Sequence, residues 1–239
     1  MSQSEELENQ KKDWAVSVSK GVLGAVPLVG GLLGEVVGWV IPNQRMDRIS
    51  RYVAQLEEKL GQLDKEFLSH RLTSPETIDL LEDSFFQAAR ALIDERRKQI
   101  AEVVKQGVTE ERIKVGQCKR VLQILGDLTD FEILLLRAYA LHWNREHPFI
   151  KENIEILMVK PAYIGAPQEI LDAYFLHENY KSNLARLGLL KPNYEYDMKT
   201  KMPTFDSMTH GLKIRGYDIT GLGRLVISTL DGFPDDEKA

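Results

Sequence analysis

The chain contains almost nothing from which a covalent or redox centre could be built. Its 239 residues include a single cysteine, Cys118, so no disulfide can form between two cysteines of this sequence. A lone thiol is typical of proteins in the reducing cytoplasm. We therefore interpret Cys118 as a small packed residue rather than a nucleophile, and we expect a cytoplasmic protein.

Catalytic motifs are missing as well. The sequence has five histidines and no H-E-x-x-H pattern, no G-x-S-x-G pattern and no complete glycine-rich phosphate loop. His142 and His147 are five positions apart, a spacing that does not place both on one face of a helix. The sequence therefore predicts a protein that is not an enzyme and that uses neither a cofactor nor a metal.

An excess of positive charge is also absent. Lysine and arginine number 31 against 36 acidic residues, which gives a formal net charge of −5. The chain as a whole therefore creates no basic field that would attract nucleic acid, and any contact with phosphates would need a local patch.

One stretch stands out among the residues that are present. Residues 21–42, GVLGAVPLVGGLLGEVVGWVIP, contain six glycines and a single charged side chain. Gly30, Gly34 and Gly38 recur every four residues, so on a helix they would form a smooth stripe that lets another backbone approach closely. This pattern predicts a surface for self-association or for contact with a membrane.

The same stretch admits three interpretations. It could be a pair of short helices over about 13–25 and 28–41 packed in a bundle, a segment that meets the membrane only when triggered, or a permanent membrane span. Trp39 suits a membrane interface. Pro27 would kink a continuous helix, and Glu35 at mid-bilayer would cost roughly 2.5 to 3.5 kcal/mol. The helix pair is therefore favoured, and conditional membrane contact stays open.

Two heptad patterns follow the glycine-rich stretch. The first predicts a helix from Met46 to Phe67, and the second begins at Ser74-Pro75, which are typical of a helix start. The run DERRK, from Asp94 to Lys98, is interpreted as solvated. The two patterns predict a helical hairpin with these apolar seams: Met46, Ile49, Val53, Leu56, Leu60, Leu63 and Phe67, then Ile78, Leu81, Phe85, Ala88 and Leu92.

The remainder predicts a second unit. TDFE, residues 129–132, has the pattern of a capping box before a helix that is apolar nearly all round. A helix over about 168–187, a loop over 192–211, an alternating strand LKIRGYDIT and a helix capped by Thr220 follow. We expect a mainly α fold, with a glycine-rich segment, a helical hairpin or bundle and a C-terminal winged-helix-like unit that contains a small β-hairpin. The predicted domains are 1–45, 46–127 and 128–239.

Three short motifs resemble a known family. HPFI at 147–150, NLARLGLL at 183–190 and YDITGLGRLVI at 217–227 are similar to segments in the closing half of the abortive-infection alpha family of bacterial proteins. The similarity extends over roughly residues 80–230, and Ile219 departs from the leucine that is more usual there. The resemblance implies a protein associated with phage defence that has no catalytic motif, and it supplies no site residues.

These observations support three hypotheses of function, and the third, beside the two given next, is a purely structural adaptor that uses the heptad seams. The first is a non-enzymatic defence protein that acts by protein–protein assembly or self-association. It would engage the inner face of the membrane through residues 21–42, with contacts at Gly30, Gly34, Glu35, Gly38 and Trp39.

The second hypothesis is a winged-helix regulator that binds nucleic acid. Helix 168–187 would then be the recognition helix, with His177 and Glu178 on its exposed face. Three acids on that helix, Glu169, Asp172 and Glu178, weigh against binding to phosphates. The contacts would be Lys181, Asn183, Arg186, Lys213 and Arg215.

Overall fold

A computed structural model describes residues 43–109, 114–163, 165–205 and 211–231, with side chains from Asp47 onward. Within these ranges the protein is mainly helical, with nine helices and one two-stranded antiparallel hairpin, which confirms the predicted fold class at that level. The elements are α1 (Asn43–Leu60), α2 (Lys65–Arg71), α3 (Pro75–Arg90), α4 (Asp94–Thr109), α5 (Val115–Gly126), α6 (Asp130–Ala140), α7 (Pro148–Leu157), α8 (Gln168–Arg186), β1 (Leu190–Tyr194), β2 (Ile214–Ile219) and α9 (Gly221–Asp231).

The glycine-rich stretch lies outside the described residues. The predicted helices 13–25 and 28–41 fall there, and so do the proposed contact residues Gly30, Gly34, Glu35, Gly38 and Trp39. Among the helices that the structure does describe, none is both long enough and apolar enough to span a bilayer.

The described residues divide into two compact units, and the first comprises 43–109, 114–127 and 228–231. Its described helices α1, α3, α4 and α5 pack against one another. The core includes the predicted seam residues Ile49, Val53, Leu56 and Leu60 of α1 and Leu81, Phe85 and Ala88 of α3, all of them buried.

Both seams are shorter than predicted. The first is wrong beyond Leu60, because the Asp64 side chain accepts a hydrogen bond of 2.9 Å from the amide of Phe67 and so starts a separate helix, α2. The Phe67 side chain is exposed as a result. The second seam is wrong at Leu92, which is 74% exposed in the connection between α3 and α4.

The expectation that the DERRK run is solvated is wrong for its two arginines. Arg97 donates to the carbonyl of Ala91 at 2.6 Å and pairs with Asp94, while Arg96 donates to the carbonyl of Leu125 at 2.9 Å. Those two carbonyls stand at the C-terminal ends of α3 and α5, where backbone acceptors lack helical partners and attract cations. The guanidinium groups are therefore buried because they cap helices.

The second unit comprises Leu128–Ile227 and contains α6, α7, α8, the hairpin and most of α9. The predicted capping box is confirmed, because Thr129 Oγ1 accepts from the amide of Glu132 and Glu132 Oε2 accepts from the amide of Thr129. His147 caps α7 by a single bond, since its Nδ1 accepts from the amide of Phe149, and Pro148 lies in the first turn. In the hairpin, Leu190 pairs with Ile219.

The segment that joins α8, β1 and α9 is held by Thr220. Its hydroxyl donates to the carbonyls of Gly188 and Leu189 and accepts from the amide of Gly223 at 3.0 Å. Gly188 has φ of +75°, a conformation that favours glycine. A Cβ on Gly223 would lie 2.4 Å from the carbonyl oxygen of Leu189, so only glycine fits there. The motifs LGLL and ITGLG thus encode this junction.

Replacement of Arg97 by methionine tests the capping role of the buried arginines. The variant keeps the apolar length of the side chain but leaves the Ala91 carbonyl without its donor, so we expect the free energy of unfolding to fall by about 2 to 3 kcal/mol. Lys98→Met is the matched control, because the neighbouring Lys98 is exposed. It should change the value by less than about 0.5 kcal/mol in the same urea titration. Equal effects of the two substitutions would contradict the assignment.

Candidate functional site on the β-hairpin

Three of the five predicted nucleic-acid contacts lie on α8, and all three bond to the protein itself. Lys181 Nζ is 2.7 Å from a carboxylate oxygen of Glu178. Asn183 Nδ2 donates to Glu132 Oε1 at 2.6 Å, and Arg186 donates to Asn183 Oδ1 through two nitrogens, at 3.1 and 2.7 Å. Each of the three therefore has at least one bond within α8 or with α6.

The bond between Asn183 and Glu132 is structural. Glu132 is 2% exposed, and its carboxylate also accepts from both the amide and the hydroxyl of Thr129 at 2.8 Å. A buried carboxylate requires such donors, because an unpaired charge away from water is very costly. Asn183 therefore anchors α8 to the first turn of α6.

His177 does not lie on an exposed face, so that expectation is wrong. It is 7% exposed, and its Nε2 lies 3.2 Å from the carbonyl oxygen of Leu157. The ring packs edge-on against Phe131 at 6.0 Å between centroids. Seven residues separate His177 from Leu184, which is fully buried, so both fall on the inward face of α8.

The other two predicted contacts lie at the hairpin. Lys213 Nζ forms an ion pair of 2.9 Å with Glu195. Arg215, on β2, is exposed and has no ion pair among the residues that the structure describes. The structure therefore does not bring the five predicted residues into one free cationic surface.

Residues 206–210 of the predicted loop over 192–211 lie outside the described residues, and the described part of that loop is largely a continuation of the hairpin. Beyond Tyr194 the chain remains paired, with bridges between Tyr196 and Pro203 and between Phe205 and Leu212. The amide of Thr204 donates to the carbonyl of Glu195, and the amide of Lys213 donates to the carbonyl of Thr204, both at 2.8 Å.

The tip of this extension is an ordered turn. Asp197 Oδ1 accepts from the amides of Lys199 and Thr200, at 3.0 and 2.7 Å, and from the Thr200 hydroxyl at 3.0 Å. These hydrogen bonds lower the pKa of Asp197. Lys201 closes the turn in the left-handed region, with φ of +57°. The exposed side chains at the tip therefore project from a fixed backbone.

The extended hairpin exposes a concentrated set of large apolar side chains. Met198 at the tip is 84% exposed and Phe205 is 72% exposed, although side chains of this size are usually covered. We call the whole set the hairpin surface, and its members are Tyr194, Tyr196, Met198, Met202, Phe205, Leu212 and Ile214.

Much of the hairpin surface lies on one face. Tyr194 is opposite Ile214 in the ladder, and alternate residues of an extended chain point to the same side, which adds Tyr196 and Leu212. Phe205 is opposite Leu212. The residues in between, Glu195 and Lys213, form their ion pair on the other face. The hairpin thus separates an apolar face from a charged one.

Cations border this apolar surface. Lys199 and Lys201 flank the tip between Met198 and Met202, and Arg215 follows Ile214. All three cationic side chains are exposed, and none has an ion pair within the described ranges. The arrangement can bind a partner that offers apolar pockets with acidic groups at their rim.

The described residues contain no group of histidine, cysteine and acidic side chains that could hold a metal ion. Cys118 is buried, and burial raises the pKa of its thiol to about 12, so the thiolate required for nucleophilic chemistry is not formed near neutral pH.

Sequence reasoning missed this surface, although the signal was present. In Y-E-Y-D-M, residues 194–198, apolar and charged residues alternate with the period of a strand. The content of Met, Thr and Lys suggested a loop instead, and the pairing partners are distant enough in sequence that no local pattern reveals them.

Comparison of the chain with protein-family models, with curated proteins and with solved structures found no match.

The buried His177 predicts a specific dependence of stability on pH. Burial, and secondarily the positive charge of Lys181, lower the pKa of His177. Nε2 points to a carbonyl and therefore carries the proton, so a second proton would have to enter at Nδ1, which is buried without a partner in the described structure. The unfolded chain, with a histidine pKa of about 6.5, therefore takes up that proton first as the pH falls.

We expect the stabilising contribution of His177 to be complete above about pH 6.5 and to be lost progressively below it, with a slope of at most about 1.4 kcal/mol per pH unit. Urea titrations of wild type and His177→Phe between pH 8 and pH 5 measure the difference. The exposed His70 provides the control His70→Gln, which should follow wild type. A constant difference between wild type and His177→Phe would rule out this linkage.

Proposed function

We propose that the protein is a non-enzymatic binding protein that docks onto a protein partner through the hairpin surface. The observation that carries this proposal is the exposure of seven large apolar side chains on one ordered hairpin. Exposed apolar groups are stabilised when a partner covers them, by roughly 25 cal/mol for each Å² removed from water. Aromatic and methionine side chains are also the types enriched at the cores of such interfaces.

A protein partner fits better than duplex DNA. Among the described residues, α8 carries three acids, Glu169, Asp172 and Glu178, and only two bases, both of which bond to neighbouring side chains. Binding to phosphates depends on several free Lys or Arg contacts. Aliphatic groups such as Met198 and Leu212 gain little from a phosphate backbone but much from an apolar pocket.

The order of elements supports a winged-helix interpretation of the second unit. Three helices, α6, α7 and α8, precede the hairpin, and α9 follows it. In that interpretation the hairpin is the wing, and it rather than α8 carries the binding surface. Binding to single-stranded nucleic acid through the tyrosines and lysines of this wing is the alternative that the experiment below distinguishes.

The biological role that we propose is bacterial defence against phage, and it rests on the resemblance of three motifs to the abortive-infection alpha family. Three residues of these motifs stabilise the fold. His147 caps α7, and Thr220 and Gly223 hold the segment that joins α8, β1 and α9. They therefore support a shared unit rather than a shared site. Self-association or conditional membrane contact through residues 21–42 is a further part of this proposal.

Photo-crosslinking tests the proposed partner class directly. A benzophenone amino acid replaces Met198 at the tip, and we expect illumination in the native cytoplasm to yield a covalent adduct with one protein. That protein, once purified, should bind wild type in a pull-down and in calorimetry. Phe205→Ser should weaken the complex about thirtyfold or more, because truncation of an interface anchor typically costs about 2 kcal/mol.

The control substitution is Leu92→Ser, since Leu92 is equally exposed but lies in the other unit. It should leave the affinity unchanged. Adducts only with nucleic acid or lipid, or equal losses from Phe205→Ser and Leu92→Ser, would show that the hairpin surface does not bind a protein.

The defence role is tested by phage challenge. Expression of the wild-type gene in a susceptible bacterium should lower the efficiency of plaque formation for at least one phage. Cells that express Phe205→Ser to the same level should lose that protection, because the partner is no longer engaged, whereas Leu92→Ser should retain it. Equal plaque counts with and without the wild-type gene across a diverse phage panel would contradict the role.

A further inference from the structure

A polar cleft lies between α1 and α4 in the first unit, apart from the hairpin. Its volume is about 370 Å³, within the range of small-molecule sites. Four lining residues come from α1 and the turn after it: two are adjacent in sequence, and each of the other two is three or four positions from both. Two more come from α4 and are seven positions apart, so they lie on one helical face. The lining residues are Gln55, Glu58, Lys59 and Gln62, then Lys98 and Lys105.

A buried carboxylate stands behind these lysines. Glu102 is 6% exposed and lies between Lys98 and Lys105 on α4. Its oxygens are 2.5 Å from Lys59 Nζ and 3.5 Å from Lys105 Nζ, and it accepts from Gln106 at 2.9 Å. Burial works to raise the pKa of Glu102, but the bonds from Lys59 and Gln106 and the nearby positive charges outweigh it and leave the pKa lowered. Glu102 is therefore ionised.

The lysines exceed what Glu102 requires. One ammonium group would neutralise the carboxylate, yet Lys59 and Lys105 both pair with it and remain about one-third exposed, at 30% and 32%. Lys98 adds a third positive charge and has no ion pair within 4 Å among the described residues, although its charge also acts on Asp94 one turn earlier in α4. Glu58, exposed at the rim, is the only acid that lines the cleft. The cleft therefore has an unbalanced positive charge.

The cleft also contains an acceptor that lacks a donor. Gln55 lines the cleft, and its Oε1 is buried with no hydrogen-bond partner in the described structure. Gln106, which donates through Nε2 to Glu102 but does not line the cleft, likewise has an Oε1 without a partner in the described structure. Leaving such atoms unpaired is unfavourable, and since the Gln55 side chain is only half-buried, its rotation would turn Oε1 toward hydroxyl or amino donors on a molecule in the cleft.

We propose that this cleft binds a small soluble phosphate monoester that also carries hydrogen-bond donors. Lys98, with Lys59 and Lys105, would face the phosphate, whose charge matches the surplus of cations. The hydroxyl or amino groups of the same molecule would donate to Gln55. Glu102 acts as a positioning residue that holds Lys59 and Lys105 in place rather than as a contact of the ligand.

Calorimetry with the full chain tests the proposal, with three soluble probes that separate the two features of the ligand. Adenosine 5′-monophosphate has a phosphate and donors, inorganic phosphate has the charge alone, and adenosine has the donors alone. We expect the monophosphate to bind with a Kd of about 1 mM or tighter, phosphate to bind more weakly and compete with it, and adenosine not to bind measurably. Raised salt should weaken the binding.

The key variant is Lys98→Met, which removes the free cation without disturbing Glu102. It should weaken binding of the monophosphate about tenfold, because a charge-assisted contact is lost. Lys65→Met is the control, since Lys65 is an exposed lysine on α2 that does not line the cleft. It should bind as wild type does. Gln55→Met should weaken the monophosphate but leave the affinity for inorganic phosphate unchanged.

Four results would overturn the proposal. These are the absence of heat and of thermal stabilisation with both the monophosphate and phosphate, binding of adenosine as tight as that of the monophosphate, equal effects of Lys98→Met and Lys65→Met, and binding only to vesicles that contain phosphatidic acid. The last would assign the cations to a lipid headgroup. None of these results depends on the hairpin surface, so the two proposals can fail separately.

Discussion

The carboxylate of Glu132 is the group on which the second unit depends. It accepts from Thr129 at the start of α6 and from Asn183 near the end of α8, so one buried charge joins two helices through residues that lie 51 positions apart in sequence. Loss of the carboxylate would leave the donors of Thr129 and Asn183 without this acceptor and would remove the link between α6 and α8. Because β1 starts four residues after α8 ends, the position of the hairpin follows from this anchor.

The first unit also joins helices through buried charged groups, but there the groups are positively charged. Arg96 and Arg97 are buried near the start of α4, and each satisfies a carbonyl at the end of another helix. Removing a charge from water has a large free-energy cost. Both units bury these charged side chains only where backbone or side-chain groups form hydrogen bonds with them. Helix ends are such places, since their backbone groups have no partner within the helix. Buried charge in this protein therefore marks connections between helices.

Patterns that depend on neighbouring residues could be predicted from the sequence. The capping box at Thr129 and Glu132, the cap at Thr220 and the buried part of the seam through Leu60 involve residues at most four apart, and the structure has them as expected. Features that depend on distant partners could not be predicted. Arg97 resembled a solvated residue because the sequence does not reveal that α3 ends beside it.

The same distinction explains the candidate site. The period-two alternation over Y-E-Y-D-M is visible in the sequence. The pairing of Phe205 with Leu212 and the bonds that join Thr204 to both Glu195 and Lys213 depend on the tertiary structure. Asn183 was a plausible contact by type and position, and only its bond to Glu132 shows that it is engaged elsewhere. A polar residue on a helix can face solvent or another helix, and the residue type alone does not distinguish these two cases.

An exposed apolar hairpin also has to avoid pairing with copies of itself. Natural sheets protect their edges with charge, short strands and irregular pairing. All three are present here, since Lys199 and Lys201 flank the tip, β1 has five residues, and the register shifts between Asn193 and Tyr194. Edges protected in this way hinder the addition of another strand but leave the face open. A partner would therefore cover the hairpin surface through side-chain pockets rather than by extending the sheet.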